Sequence, residues 1–513
     1  MNNMFCYQCE QTMGGRGCTL RGVCGKSPET AAAQDTLTTE LVRLATVLKA
    51  RGTPLDAQTA TLFRNGLFAC VTNVNFDPFR LNSLARKASA TNGWFSGCSV
   101  CSQFSLPSIW KEPEDLRSLK SLLLFGLRGM AAYACHAAAL GETDPAVDAF
   151  FVEGLALLDG KRKTEELTAA LKRFGKVNFR CMEMLDQANT GTYGEPNPVR
   201  VSRTVLPGPF IVVTGHDLKD LHELLLATDN SGVNVYTHGE MLPAHGYPEL
   251  RRHTQLRGNF GTAWQNQQRE FDALPAPILW TTNCLMIPRP SYADKVWTTG
   301  VVGYPDAHVV HLLNGRKDFT PLVAAAKAAG GWSEPKTFPG VNGGTTLTTG
   351  FGRAATCALV PRIARLVQDG RIGSFLLVGG CDGMKTERGF YTNIVRTAPP
   401  DAIILTLACG KYRFNDLDLG DIDGVPRLMD FGQCNDAYGV IRFAMRLAEE
   451  FGCGVNELPL SIVLSWYEQK AVAVLLTLLS LGIRDIHLGP SAPAFVSPGV
   501  FKTLADAYGL KMV

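Results

Sequence analysis

Apolar residues recur at i, i+3 and i+4 in "TTELVRLATVLKA", "LRSLKSLLLFGLRGMAAYACHAAAL", "PAVDAFFVEGLALL" and "TEELTAALKRF", the period of helices that each bury one face. From about Ser27 to Gln187 this rhythm predicts a helix bundle. The stretch "TGTYGEPNPVRVSRTVLPGPF" is rich in Gly and Pro and reads as a linker. Beyond it, short β-branched runs alternate with helical stretches. Strands are expected at "FIVV", "VNVY", "ILWT", "VVGY" and "VVHLL", and, past the Gly-rich "FPGVNGGTTLTTGFG", at "SFLLVG", "AIILTL", "RLMD" and "SIVLSW". Strand-helix alternation predicts parallel, doubly wound sheets, one on each side of the Gly-rich joint. The expected fold class is multidomain α and α/β. A helical domain over residues 1–200 precedes two αβα (Rossmann-like) domains over 201–338 and 339–513.

Composition narrows the partners. Lys+Arg of 50 against Asp+Glu of 47 leaves a net charge of +3, without the concentrated basic surface that nucleic acid requires. The first residues, "MNNMFCYQCEQTMGG", have neither a basic n-region nor an apolar h-region. The longest apolar run, "AVAVLLTLLSLGI", falls short of the about 20 residues that span a bilayer. A soluble, cytoplasmic protein with no membrane partner is expected. In a reducing compartment its 15 cysteines read as metal ligands, catalytic thiols or small buried apolar side chains rather than disulfides.

Four of them stand in "CYQCEQTMGGRGCTLRGVCG": Cys6, Cys9, Cys18 and Cys24, spaced C-x2-C-x8-C-x5-C. Cys9, Cys18 and Cys24 have the x8 and x5 spacings of a CCCH zinc finger, but the position that finger fills with histidine is Pro28. The glycines of the loop would let backbone N–H groups face the sulfides of an iron-sulfur cluster. Spacing alone leaves zinc, a disulfide framework and a cluster open.

In open parallel sheets, ligands bind beyond the carboxyl ends of the strands. The residues just past each expected strand are His216 ("FIVVTGHDL"), Glu240 ("VNVYTHGEM"), Cys284 ("ILWTTNCLM"), Cys381 ("FLLVGGCDGM"), Cys409 ("AIILTLACGKYRF"), Cys434 ("RLMDFGQCND") and Glu468 with Lys470 ("SIVLSWYEQK"). A post-strand cysteine is by itself more often a buried apolar residue than a ligand. Recurrence at one topological position points to a metal centre between the sheets. Thiolates suit sulfide-bridged iron, and imidazole and carboxylate suit a harder, more exposed iron. Lys470 is placed to orient Glu468 or supply protons.

These motifs in this order, from "CYQCEQT" through "GHDLKDL", "THGEMLPAHGYPEL", "TTNC", "GGCDG", "LACGKYRFN" and "GQCND" to "LSWYEQKA", closely resemble the hybrid-cluster (prismane) proteins, known as hydroxylamine reductases. The resemblance implies a helical domain and two αβα domains. It implies a 4Fe-4S cubane on Cys6, Cys9, Cys18 and Cys24. It further implies a hybrid 4Fe-2O-2S cluster on His216, Glu240, Cys284, Cys381, Cys409, Cys434 and Glu468, with Cys381 as the persulfide-bearing cysteine and Lys470 beside it. Two departures stand out. The helical stretch between Cys24 and His216 is shorter than in members with this spacing, and "FSGCSVC" adds Cys98 and Cys101, a pair outside the family pattern.

The activity this implies is reduction of hydroxylamine by two electrons and two protons to ammonia and water. Glu240, Glu468, Lys470 and Cys381 are its expected catalytic groups, and electrons arrive from a partner reductase through the cubane. Nitric oxide reduction to nitrous oxide is the competing substrate assignment. A regulator of nitrosative stress that S-nitrosylates other proteins, using Cys98 and Cys101, is an alternative from another class. A carbon monoxide dehydrogenase-like nickel site is a third, which the carboxylates Glu240 and Glu468 oppose. Other signals carry less: "TTGFGRAA" is a partial dinucleotide fingerprint without a suitably placed acid, and "NDLDLGDIDG" misses the EF-hand order.

Overall fold

A computed structural model describes residues 4–93 and 102–513; Cys98 and Cys101 lie outside the described residues. The amino-terminal part is helical as expected, with long helices at Pro28–Arg51, Glu114–Ala139 and Thr164–Tyr193 and a shorter one at Pro145–Ala156. Pro28–Arg51 starts where its sequence says it should: Ser27 accepts from the Thr30 N–H and Pro28 opens the first turn, satisfying an orphan donor with φ already set. Helices at Ala57–Ala69 and Pro78–Gly93 complete this part.

Glu114–Ala139 packs on Thr164–Tyr193 and on the distant helix Gln469–Ser480. Gly129 permits the second contact, since a Cβ there would stand 2.4 Å from the Gln469 carbonyl oxygen. The helical part thereby grips the helix that begins immediately after Glu468. Glu114–Ala139 is also the one described helix long and apolar enough to cross a membrane, and 83% of its most apolar window is buried inside the protein.

Two six-stranded parallel sheets follow. The first runs in the order Leu256–Asn259, Asn234–His238, Phe210–Thr214, Ile278–Trp280, Val296–Thr298, His308–Val309. The second runs Leu428–Asp430, Ala402–Thr406, Ser374–Gly380, Leu460–Ser465, Ile486–Gly489, Lys511–Met512. In each sheet the strand order reverses at the centre, between Phe210–Thr214 and Ile278–Trp280 in the first and between Ser374–Gly380 and Leu460–Ser465 in the second. Such switch points open the crevices in which α/β sheets bind ligands.

Three expectations are corrected. "VVGY" is not a strand: the chain pairs one segment earlier, at Val296–Thr298, and then turns through Gly300, whose φ is +59°. The supposed linker carries Val199–Ser202, paired antiparallel with Thr346–Thr349 of the Gly-rich joint, and Thr204–Val205, paired with Lys336–Thr337. The two joints thus zip together and tie the sheets to each other. Thr164–Tyr193 also runs past the expected end of the helical segment at Gln187. The thirteen described cysteines are all unpaired; Cys70 and Cys181 are fully buried in the helical core.

Candidate metal centre

Every strand-end residue named from the sequence comes to one place, where the carboxyl ends of the two sheets meet. His216 follows Phe210–Thr214 and Glu240 follows Asn234–His238; Cys434 reaches them from beyond Leu428–Asp430 of the second sheet. One ligand atom from each of His216, Glu240 and Cys434 lies within 4.8 Å of the others. The His216 Nε2 is 3.2 Å from the Cys434 Sγ and 3.9 Å from the Glu240 Oε2. The Thr282 hydroxyl, 2.9 Å from Nδ1, fixes the ring so that Nε2 faces the centre.

Glu240 is held by one oxygen only. Its Oε2 accepts from the Cys434 N–H at 2.7 Å, while Oε1 is buried without a hydrogen-bond partner, 4.0 Å from the Lys411 Nζ. A buried carboxylate oxygen left unpaired is costly; a cation beside it removes that cost. On the opposite side, Glu468 caps the helix Gln469–Ser480, its Oε2 accepting from the Lys470 N–H at 2.7 Å. The Asn283 amide donates to the Glu468 Oε1 at 3.3 Å and to the Cys284 Sγ at 3.5 Å. The Lys470 Nζ lies 4.0 Å from the Glu468 Oε1 and donates to the Asn435 Oδ1 at 3.5 Å.

Charge decides what this site can hold. Burial pushes the thiols of Cys284, Cys409 and Cys434 well up, and that of Cys381 up to about 12; neighbouring carboxylates and thiols push in the same direction. Burial also raises Glu240 and Glu468, against the pull of Lys411 and Lys470 respectively. His216 falls well below its ordinary value through burial, then through Lys470. Burial opposes the charge on Lys470, but Cys434 and Glu468 outweigh it and raise that group. Four thiols and two carboxylates therefore face two buried ammonium groups, one of which, Lys411, is already paired with Asp430 at 3.0 Å. A multiply charged cation would favour ionised thiols and carboxylates, opposing the effect of burial on them, and would keep His216 neutral.

Backbone geometry aims Cys381. Gly380 before it has a φ of +107°, and a Cβ there would stand 2.0 Å from the Ser465 carbonyl oxygen. Gly380→Ala is expected to lower stability by about 2 kcal/mol or more, read as a fall in the thermal unfolding midpoint; an unchanged midpoint would contradict this account of the turn.

The amino-terminal cysteines form a second cluster. Cys6 and Cys18 exchange backbone hydrogen bonds of 3.1 and 2.8 Å. The Met13 N–H donates to the Cys18 Sγ at 3.5 Å, and the Lys26 ammonium donates to the Cys6 Sγ at 3.7 Å. Burial raises the Cys9 thiol, and Cys24 and Cys6 add to the effect. The loop docks on the segment that carries Glu468: Glu10 N–H donates to the Tyr467 carbonyl at 3.0 Å, Tyr467 Oη donates to Gln11 at 3.2 Å, and Gln469 donates to the Gln8 carbonyl at 2.7 Å. Arg388, fully buried, joins loop and centre by donating to Glu10 at 3.2 Å, the Trp466 carbonyl at 2.9 Å and the Cys381 carbonyl at 3.2 Å.

Residues 4–512 match the model for the Prismane/CO dehydrogenase family. The chain belongs to that family. Among members, a hydroxylamine reductase of Solidesulfovibrio magneticus is 47% identical, with 99% of this chain and 98% of that protein covered. A hydroxylamine reductase of Rhodobacter capsulatus is 43% identical, again over 99% and 98%. Among solved structures, a Ni-free carbon monoxide dehydrogenase from Thermococcus sp. AM4 aligns over 100% of this chain and 88% of its own, with a TM-score of 0.57 at 17% identity. Carbon monoxide dehydrogenase IV from Carboxydothermus hydrogenoformans aligns over 99% and 89%, with a TM-score of 0.56 at 16% identity. The prismane chain thus shares its multidomain α/β fold with these enzymes.

Several residues around the candidate centre were not singled out by sequence. Asn283 touches both Cys284 and Glu468, Lys411 faces Glu240, Asn435 holds Lys470, and Thr282 orients His216. Each sits within two residues of a named ligand or of another strand-end residue, so the strand-end rule would have found them had it been widened to the whole loop. Tyr467 lies between the two clusters: burial raises its hydroxyl, with Cys9, Cys24 and Cys284 adding to the effect.

Proposed function

We propose that this chain is an oxidoreductase of the hydroxylamine reductase type. The observation that carries the reading is the buried Glu240 carboxylate with one oxygen unpaired, beside His216 and Cys434 where the two sheets meet. Names of relatives at 43–47% identity over nearly the whole chain support the substrate.

The residues fit iron-sulfur groups. Cys6, Cys9, Cys18 and Cys24 would hold a 4Fe-4S cluster. His216, Glu240, Cys284, Cys381, Cys409, Cys434 and Glu468 would hold a hybrid 4Fe-2O-2S cluster, with Cys381 bearing the persulfide sulfur. The mixed donors suit it, thiolates for sulfide-bridged iron and imidazole with carboxylate for harder iron. When bound, this centre supplies electrons and a Lewis-acidic position for the nitrogen or oxygen of the substrate. Lys470 and Glu468 hold protons at the edge of the centre, the Lys470 Nζ lying 4.0 Å from the Glu468 Oε1. Asn283 keeps Glu468 and Cys284 in register, and the buried surroundings exclude water from the reacting position. Tyr467 and the loop at Cys9 give a short path inward for electrons from a donor reductase. We place the limits of the three domains at 1–200, 201–338 and 339–513.

The test is turnover of anaerobically purified, iron-loaded protein with reduced viologen as electron source. One ammonia formed per hydroxylamine consumed is the expected result. Iron-loaded protein that consumes hydroxylamine without ammonia, or consumes none, would remove the assignment.

A further inference from the structure

The inner face of the cysteine loop docks on Tyr467 and Gln469 through Glu10 and Gln8. Its outer face holds three large apolar side chains in the open: Leu20 is 80% exposed, Met13 57% and Val23 45%. Single apolar residues on a surface need no explanation, but three on one short loop mark a contact surface. Arg16 and Arg21 stand among them, both exposed. From Gln11 to Pro28 the chain has no Asp or Glu, although its acids and bases nearly balance overall. Among the described residues neither arginine forms an ion pair; the Arg21 Nε donates to the Gly25 carbonyl at 3.5 Å. Burial raises the Tyr304 hydroxyl beside the loop, Arg21 pulls it down and Asp306 pushes it up, so one acid borders this surface.

The surface lies directly over the loop's thiols. Leu20 and Arg21 fall between Cys18 and Cys24, Val23 adjoins Cys24, and the Met13 N–H reaches the Cys18 Sγ at 3.5 Å. Cys6 and Cys24 are themselves only partly buried. A protein seated here is one side chain's depth from the cysteines, with the strand-end centre behind them. Electron-transfer pairs meet over small faces, commonly below about 1,200 Å², and complementary charge speeds their encounter. Apolar side chains with unpaired arginines among them fit a partner whose own contact face is acidic. We propose that the outer face of the cysteine loop is the landing surface of a small, acidic electron-carrier protein. The proposal rests on the reading that this loop holds the entry cluster. In each encounter the carrier is oxidised by one electron and the loop-borne cluster is reduced by it, with no bond made or broken. Two encounters supply the two electrons that, with two protons from solvent, turn hydroxylamine into ammonia and water.

An acidic plant-type 2Fe-2S ferredoxin is the probe, titrated calorimetrically into anaerobically purified, iron-loaded protein. Binding is expected to weaken about tenfold or more between about 20 and about 300 mM salt. At low salt the double variant Arg16→Glu/Arg21→Glu is expected to lose a similar factor. In stopped flow, that variant is expected to slow bleaching of the loop cluster by reduced ferredoxin about tenfold, while reduced methyl viologen, a small cation, is not slowed. Damage to the loop would slow both donors alike. Arg16→Gln/Arg21→Gln is expected to act in the same direction by less, and serves if the reversed variant does not fold. Ferredoxin binding that ignores salt, or a variant that binds as the native protein does, would overturn the proposal. So would a native protein that does not bind ferredoxin but uses this face to pair with a second copy or to sediment with phosphatidylserine vesicles. Ferredoxin that docks on a protein forming no ammonia from hydroxylamine would uphold the surface and remove the proposed activity instead. Ammonia formed with viologen by a protein that ferredoxin does not bind would do the reverse.

Discussion

Replacing Cys434 by serine is expected to abolish hydroxylamine turnover while leaving the amino-terminal cluster in place. Its Sγ stands 3.2 Å from His216 Nε2 and its N–H holds Glu240 at 2.7 Å, so Cys434 ties a donor from the second sheet to both donors from the first. Changes one layer out from a metal commonly cost about 10- to 100-fold; loss of a donor at the junction is expected to exceed that. Steady-state ammonia formation together with iron per chain checks it. A rate within a few fold of the native protein would show that the junction is not the reacting position. The N–H to Glu240 survives the change because it comes from the backbone, which separates loss of the thiolate from collapse of the site.

The second large effect is expected at Glu10→Ala. Glu10 is buried and accepts from Arg388 at 3.2 Å and from Ser491 at 2.9 Å, with the Lys385 ammonium at 2.5 Å. Arg388 has no exposed surface, so truncating its partner strands a buried charge, at a cost of about 3–5 kcal/mol. The loss is expected as a lower denaturant midpoint. Because Arg388 also holds the Trp466 and Cys381 carbonyls, the same variant is expected to slow re-reduction of the inner centre after the amino-terminal cluster is reduced. Glu10→Gln keeps an acceptor for Arg388 and is expected to lose less on both counts. A midpoint for Glu10→Ala equal to that of the native protein would mean that the loop is held by its backbone contacts to Tyr467 and Gln469 alone.

The site was legible in the sequence because its residues obey a local rule. Each candidate ligand stands just past a short apolar run, and strands such as Phe210–Thr214 and Ser374–Gly380 carry that signal within five to seven residues. Long-range pairing left no such local trace. Val199–Ser202 is a strand only because Thr346–Thr349 lies beside it, and a Gly- and Pro-rich composition hides both. "VVGY" misled for the converse reason: its valines have strand propensity, but Gly300 turns the chain and Gly303 approaches Asn75 of the helical part, so Val302 is buried without joining the sheet. The docking of the cysteine loop was equally hidden. It depends on Glu10 meeting Arg388 and Gln8 meeting Gln469, contacts that no periodicity records. The sequence made the loop a distant entrance for electrons; the fold sets it against the residue preceding Glu468.

The strand-end residues are expected to hold an iron centre separate from the one on the amino-terminal loop. Iron and acid-labile sulfide per chain, determined on anaerobically purified native protein and on Cys434→Ser, test it most directly. About eight irons per chain are expected in the native protein, with fewer sulfides than irons, falling toward four of each in the variant. Four irons or fewer in the native protein, or a native and variant content that are equal, would contradict it.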